Sequence, residues 1–97
     1  MTNEFGFVYS GVQVMYEKNV IVGQKVSVSF QPEAVFIQKA NEYRSEIWVE
    51  KGNKRANAKS LLGVLSLGLT SGSDLKLSAE GEDEVLAVKA LEKLLVC

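Results

Sequence analysis

The N-terminal part of the chain has two short stretches in which apolar side chains alternate with polar or small ones, residues 5–9 and residues 12–16. A third stretch, Val20 to Val22, is rich in β-branched residues. Turn-forming residues separate them, at Ser10-Gly11 and at Glu17 to Asn19. Alternation with a period of two is typical of strands with one buried face. The pattern therefore predicts a three-stranded meander.

A helix and a hairpin are predicted in the middle of the chain. Pro32 suits the first turn of a helix, and the apolar residues that follow it recur at helical spacing as far as Asn41. Ser45 to Glu50 then alternates as a strand, with Ile47 and Val49 on one face. Gly52-Asn53 predicts a hairpin turn, and Arg55 to Ala58 a short second strand. Lys25 to Phe30 is ambiguous, although its pattern alone permits a strand.

The C-terminal part predicts helix, strand and helix. Ser60 is suited to cap a short helix from Leu61 to Leu67, which Gly68 would end. Alternation from Leu75 to Ala79 predicts a strand that Gly81 breaks. The acidic residues 82–84 are expected in the first turn of the last helix, where the helix dipole favours negative charge. From Val20 on, the order β-α-β-β-α-β-α predicts an α+β fold, an open-faced two-layer sandwich.

Composition narrows the classes of function. The 97 residues fit one domain with a 46% hydrophobic content, and the net charge of −1 lacks the basic face that nucleic-acid binding needs. No apolar run reaches the roughly 20 residues of a membrane span, and no signal peptide is recognised. The single cysteine, Cys97, fits a cytoplasmic protein without internal disulfides. Because the chain has no histidine, we expect no metal, no cofactor and no histidine-dependent catalysis.

Three motifs resemble the histidine-containing phosphocarrier family, HPr, of the bacterial sugar phosphotransferase system. They are Asn57-Ala-Lys-Ser60, Ser66-Leu-Gly68 and Ala79-Glu-Gly-Glu-Asp-Glu84, and the match runs without gaps from Pro32 to about Leu95. The resemblance implies an antiparallel sheet covered by three helices on one face. It also implies an HPr-like domain at residues 17–97, preceded by an extra β-segment at residues 1–16.

The resemblance also implies that the carrier activity is lost. Ser29 stands at the position of the family's phosphorylated histidine, and Gln31 at that of its arginine. A serine hydroxyl needs a base to become a nucleophile, and its phosphate ester is too stable to pass on. Glutamine lacks the charged fork that arginine offers a phosphate. We therefore expect no catalytic residue and no enzyme, and a helix N-cap is the simpler interpretation of Ser29.

Ser60 falls on the family's regulatory serine, which leaves two compatible interpretations. It caps a helix, or it also accepts phosphate from an HPr kinase/phosphorylase. In that second case the resemblance implies a regulator of carbon metabolism that acts through a protein partner such as a LacI-type catabolite repressor. Lys59, Leu61 and Leu62 are the expected partner contacts. Lys54, Arg55 and Lys59 lie near Ser60 in sequence and are candidates to offset the charge of a phosphate.

The alternative function is a structural or assembly module that reuses the fold without modification of Ser60. The aromatic N-terminal segment is expected to extend the sheet beside the Val20 strand, within one chain or between two chains of a homodimer. Trp48 is expected on the sheet face away from the helices, as a partly covered side chain or as an interaction surface.

Overall fold

A computed structural model describes residues 15–24 and 32–96, which form one antiparallel sheet and three helices. The elements in chain order are β1 (Tyr16–Ile21), α1 (Pro32–Ala40), β2 (Glu46–Lys51), β3 (Lys54–Asn57), α2 (Leu61–Leu67), β4 (Asp74–Glu80) and α3 (Glu84–Val96). The strand order is β1-β4-β2-β3, and all pairs are antiparallel. The predicted α+β sandwich and its element order from Val20 are confirmed.

The core lies between one face of the sheet and the helices. In β2, Ile47 and Val49 are buried while their neighbours are not, as their alternation predicts. Along α3, Ala87, Val88 and Leu91 recur at helical spacing and are fully buried. The buried apolar residues form one cluster: Val20, Val22, Phe36, Ala40, Ile47, Val49, Ala58, Val64, Leu67, Leu69, Leu75, Leu77, Ala79, Ala87, Val88, Leu91 and Leu95.

The other face of the sheet is largely polar and carries Trp48, as predicted. Trp48 pairs across the sheet with Ser78 of the central strand β4 and with Asn57 of β3. The guanidinium carbon of Arg55 lies 4.7 Å from the centroid of the Trp48 ring, a cation–π contact. Trp48 is therefore half-covered by its own strand neighbours.

The predicted turn at Glu17 to Asn19 is wrong. These residues lie inside β1, which runs unbroken and pairs with β4 from Tyr16–Ala79 to Ile21–Asp74. Polar residues are tolerated there because β1 is an edge strand. Glu17 forms an ion pair with Lys76 at 3.4 Å, and Lys18 forms one with Glu92 at 3.5 Å. Residues 5–9 and 12–14 of the two earlier predicted strands lie outside the described residues, and Tyr16, predicted to end the second strand, is the first residue of β1.

Several element boundaries also differ from the prediction by one or two residues, among them those of β3 and of the last helix. β3 ends at Asn57 instead of Ala58, although the Ala58 N–H still donates to the Ile47 carbonyl at 2.9 Å. The last helix begins at Glu84, so residues 82 and 83 precede it. The Asp83 carboxylate instead accepts hydrogen bonds from the Arg44 N–H at 2.9 Å and from the Ser45 N–H at 3.0 Å. Glu84 remains in the first turn, where it accepts from the Gly81 N–H at 3.0 Å.

Candidate functional site

Ser60 stands at the junction of β3 and α2 and caps the helix, as predicted. Its backbone is extended, with φ −100° and ψ 116°, and its hydroxyl oxygen accepts a hydrogen bond from the Gly63 N–H at 3.2 Å. The turn before it is held by Asn57, whose side-chain oxygen accepts from the Lys59 N–H at 2.8 Å. The hydroxyl is thus held at the start of a rigid helix, where it is half-buried.

Gly63 allows α2 to pack closely on β3. A Cβ atom at this position would lie 3.1 Å from the Cβ of Ala56 and 3.4 Å from the Ser60 hydroxyl oxygen. The first distance is tighter than ordinary van der Waals contact, and the second is at its lower limit. The absence of a side chain at Gly63 therefore fixes the position of Ser60 relative to the sheet.

An apolar surface lies beside Ser60 on the outer side of α2. Leu61 is 46% exposed, Leu62 79% and Leu65 51%. Leu61 and Leu65 also line a shallow groove of about 190 Å³ against Glu33 and Ala34 of α1. Exposed leucines that adjoin one another are typical of contact surfaces in soluble proteins. We call Leu61, Leu62 and Leu65 the leucine surface.

Two of the three cations near Ser60 in sequence, Lys59 and Arg55, are engaged elsewhere. The Lys59 ammonium donates to the Tyr43 carbonyl at 2.7 Å, and this side chain is half-buried. Arg55 lies over Trp48 on the far side of the sheet and pairs with Glu50 at 3.8 Å. Of the three predicted partner contacts, Leu61 and Leu62 are exposed. Lys59 is half-buried, and its ammonium group is bonded to the loop before β2.

Three polar contacts around the site were missed by the sequence reasoning. The Glu33 carboxylate accepts from the Leu69 N–H at 3.1 Å and so ties α1 to the loop after α2. Lys51 donates to the carbonyls of Leu67 at 3.2 Å and Gly68 at 3.5 Å, at the end of α2. The third is the set of contacts at Asp83. Each joins residues that are far apart in sequence, so no local pattern signals it.

Ser29 and Gln31 lie outside the described residues, and so does Cys97. Within residues 15–24 and 32–96, no three acidic, cysteine or histidine side chains converge closely enough to hold a metal ion. In the same part of the chain, no helix is long and apolar enough to cross a membrane. The described candidate site is therefore Ser60 with the leucine surface.

A family model matches residues 16–96. It describes the phosphorylation site of the HPr component of the phosphotransferase system (PTS). The chain belongs to the HPr family. The resemblance carried by the motifs around Ser60 and Gly81 is confirmed, and with it the association with the phosphotransferase system.

Similar proteins include both HPr-like proteins and phosphocarriers. The HPr-like protein Crh of Halalkalibacterium halodurans is 47% identical over 79% of this chain and 92% of its own length. The crystal structure of phosphocarrier HPr from Bacillus anthracis has a TM-score of 0.78 and 37% identity, and it covers 84% of this chain and 96% of that one. Crh of Bacillus subtilis, a catabolite repression protein, forms a domain-swapped dimer in its crystal structure. That structure has a TM-score of 0.62 and 34% identity, and the match covers 91% of this chain and 92% of that one.

Proposed function

We propose that this protein is a non-catalytic regulator of carbon metabolism in the cytoplasm. It acts through phosphorylation of Ser60 and a protein partner, and it carries no phosphate for sugar transport. The observation that supports this most directly is the place of Ser60, whose hydroxyl stands at the start of α2 beside the exposed Leu61 and Leu62. The similarity to two Crh proteins, one of them described as a catabolite repression protein, favours the same function.

The loss of carrier activity rests on the sequence. The chain contains no histidine, and Ser29 stands at the histidine position of the family. Reversible transfer needs a labile phosphoramidate, whereas a serine phosphate is a stable ester. We therefore expect no labelling by enzyme I and radioactive phosphoenolpyruvate. A phosphocarrier HPr is the positive control. Acid-labile label on this protein would contradict the proposal.

A phosphate on Ser60 would change the surface beside it without removing the helix cap. It adds about −1.5 to −2 charges and three acceptor oxygens. One of those oxygens would replace the hydroxyl as the acceptor for the Gly63 N–H. Lys59 and Arg55 already have partners, which leaves Lys54 as the one neighbouring cation of the three without an ion pair to a described residue. One lysine does not balance the phosphate, so negative charge stays available to a partner that binds the leucine surface. An arginine or lysine of that partner, such as a LacI-type repressor, would complete the contact.

The modification is tested with an HPr kinase/phosphorylase and ATP. We expect one phosphate, on Ser60, by mass spectrometry of the intact and digested protein. Ser66 is exposed and serves as the internal comparison, whereas Ser78 is only 1% exposed inside the sheet and out of reach. Ser60→Ala should take up no phosphate, although loss of the cap costs about 1 kcal/mol of stability. An unchanged signal in Ser60→Ala would assign the phosphate elsewhere.

The role of the leucine surface is tested in the phosphorylated protein with a purified LacI-type catabolite repressor. We expect Leu62→Ser to weaken binding by about tenfold or more, because an exposed apolar contact is lost. Leu86→Ser is a matched control, since Leu86 is 66% exposed on α3, outside the leucine surface. Equal affinities of the two variants would contradict docking on this surface.

The second candidate function is an assembly module. It is favoured by β1, which lies at one edge of the sheet and directly follows residues 1–14. In this proposal the N-terminal segment pairs with β1 of its own chain or of a second copy, and Ser60 is not modified. The similarity to a domain-swapped Crh dimer favours the second arrangement.

A further inference from the structure

The strand β3 forms the edge of the sheet opposite β1, and part of its backbone faces outward. It pairs with β2 along its whole length, from Lys54 opposite Lys51 to Asn57 opposite Trp48. The Ala58 N–H donates to the Ile47 carbonyl, so Ala58 directs its backbone groups toward β2. Every second residue of an antiparallel strand does the same, and Ala56 and Lys54 therefore also face β2. Arg55 and Asn57 therefore direct their N–H groups away from the sheet. No strand of the described chain pairs with this edge.

A groove of about 350 Å³ runs beside that edge, between β3 and α2. It is lined by Lys54, Arg55, Ala56, Gly63, Ser66 and Leu67. Leu67 is 7% exposed and Ala56 is partly buried, so the bottom of the groove is apolar. The groove lies on a different side of α2 from Leu61 and Leu65, so it is distinct from the leucine surface.

The shape fits an extended peptide that adds to the sheet. In this binding mode the main chain of the peptide pairs with a free strand edge, and alternate side chains enter the groove beside it. The outward N–H of Arg55 and Asn57 and the outward carbonyl of Arg55 supply the backbone contacts. The Asn57 carbonyl is already used, because it accepts from the Ser60 N–H at 3.0 Å.

The charges at the groove indicate which peptide. Lys54 lies on the same face of β3 as Ala56, which lines the groove, and forms no ion pair with any described residue. Arg55 points to the opposite face, where it lies over Trp48 and pairs with Glu50. Antiparallel pairing of two β3 edges would bring four cations together and is disfavoured. A segment with acidic side chains in alternate positions can direct them to the face that carries Lys54, and the charge of Lys54 attracts it.

We propose that the groove between β3 and α2 binds an extended acidic segment of a partner protein as a further strand of the sheet. This site is independent of Ser60 phosphorylation and of the leucine surface. Lys54 selects the charge of the segment, and the backbone of Arg55 sets its register.

The test uses the ¹⁵N-labelled, unphosphorylated protein and an acetylated hexapeptide that alternates glutamate and valine. We expect the amide signals of Arg55, Asn57 and Gly63 to shift on titration. We also expect the Arg55 amide to exchange with solvent at least about tenfold more slowly at saturation. A hexapeptide that alternates lysine and valine is the control and should produce neither effect.

Two variants separate the charge from the backbone contact. Lys54→Glu should weaken binding of the glutamate peptide by about tenfold or more, whereas Lys89→Glu, on exposed α3 surface, should leave it unchanged. Arg55→Pro removes one outward N–H and should abolish binding. Edge strands tolerate a proline whose position faces solvent, so the variant should still fold.

Four results would overturn the proposal. These are equal binding of the lysine peptide, equal binding by Lys54→Glu, and no shifts at peptide concentrations up to about 5 mM. The fourth is protection of the Arg55 amide that rises with protein concentration in the absence of peptide, because this would assign the edge to a second copy of the chain.

Discussion

Gly81 is a position where a single added atom would collide with the backbone of a neighbouring loop. Its φ is 152°, and a Cβ atom there would lie 2.6 Å from the hydroxyl oxygen of Ser45 and 2.8 Å from the Cα of Ser45. The second contact is with backbone, so a rotamer change cannot relieve it. Gly81 therefore combines an unfavourable backbone conformation for other residues with a close approach to the loop before β2.

We expect Gly81→Ala to lower the free energy of unfolding by about 3 kcal/mol or more. Gly72→Ala is the matched control, because Gly72 has a φ of 83° but nothing within 4 Å of the added Cβ. It should cost only about 1–2 kcal/mol, from the backbone conformation alone. Urea denaturation with an unchanged m-value measures both. Similar losses in the two variants would mean that the contact with Ser45 is unimportant.

Single residues with local roles were predictable from the sequence. The cap at Ser60 and the glycine that ends α2 follow from residue type and position, and Gly68 has a φ of 77°. Asp83 was predicted only as a charge at a helix start. Its actual partners, Arg44 and Ser45, are brought to it by the fold, and nothing in the sequence near Asp83 indicates them.

Among the elements, α3 is tied to the start of β2 through Asp83. Its carboxylate accepts from two backbone N–H groups and from the Ser45 hydroxyl, and the hydroxyl contact is the main reason why the pKa of Asp83 is lowered. The backbone bond from Arg44 adds to this effect, which exceeds the opposing effect of burial. The ionised carboxylate thus stabilises the junction of two elements.

We expect Asp83→Asn to lower the free energy of unfolding by about 1–2 kcal/mol near neutral pH. A lowered pKa means that this contribution is complete above the ordinary value of about 3.9 and is lost as the pH falls through the lower value of the folded state. The difference between wild type and variant should therefore be constant from about pH 5 to 8 and shrink below about pH 4. Thermal unfolding across this range measures it.

Glu82→Gln is the control for this prediction. Glu82 is the exposed neighbour of Asp83, so its variant should unfold like the wild type at neutral pH. If the loss in Asp83→Asn stayed constant below pH 4, the carboxylate charge would not be what holds the junction.

The elements themselves were predicted best where the apolar period is long. The stripe of α3 and the alternation of β2 and β4 gave the correct element types because each buries one face in the core. β1 was divided by a false turn because its middle residues are polar. On an edge strand their charges reach solvent and cross-strand partners, so polarity there does not signal a turn.

For the whole molecule, the order of elements from Val20 and the α+β sandwich were predictable because three motifs fall on the expected elements. The division into an extension at residues 1–16 and a domain at residues 17–97 remains a prediction. So does the loss of carrier activity at Ser29 and Gln31, because it depends on residues outside the described part of the chain. A sequence pattern does not distinguish a segment that pairs within its own chain from one that pairs with a second chain.

Hydrogen exchange tests the N-terminal segment directly. We expect the amides of residues 7–15 to exchange at least about tenfold more slowly than in a free peptide, because pairing with the open edge of β1 protects them. Protection that is independent of protein concentration indicates pairing within one chain, and protection that rises with concentration indicates a dimer. Exchange at the rate of the free peptide would contradict both arrangements.

The pairing of β1 with β4 has a consequence during synthesis of the chain. Tyr16 pairs with Ala79, so this pair can form only after the ribosome has added every residue between them. At roughly 5–20 residues per second this takes about 3–12 s, and during that time the side of β1 that pairs with β4 lacks its partner. When a second ribosome follows closely on the same messenger RNA, it holds a second nascent chain near the first one during this time. Chains made in quick succession should therefore exchange their first strands more often than chains refolded at high dilution.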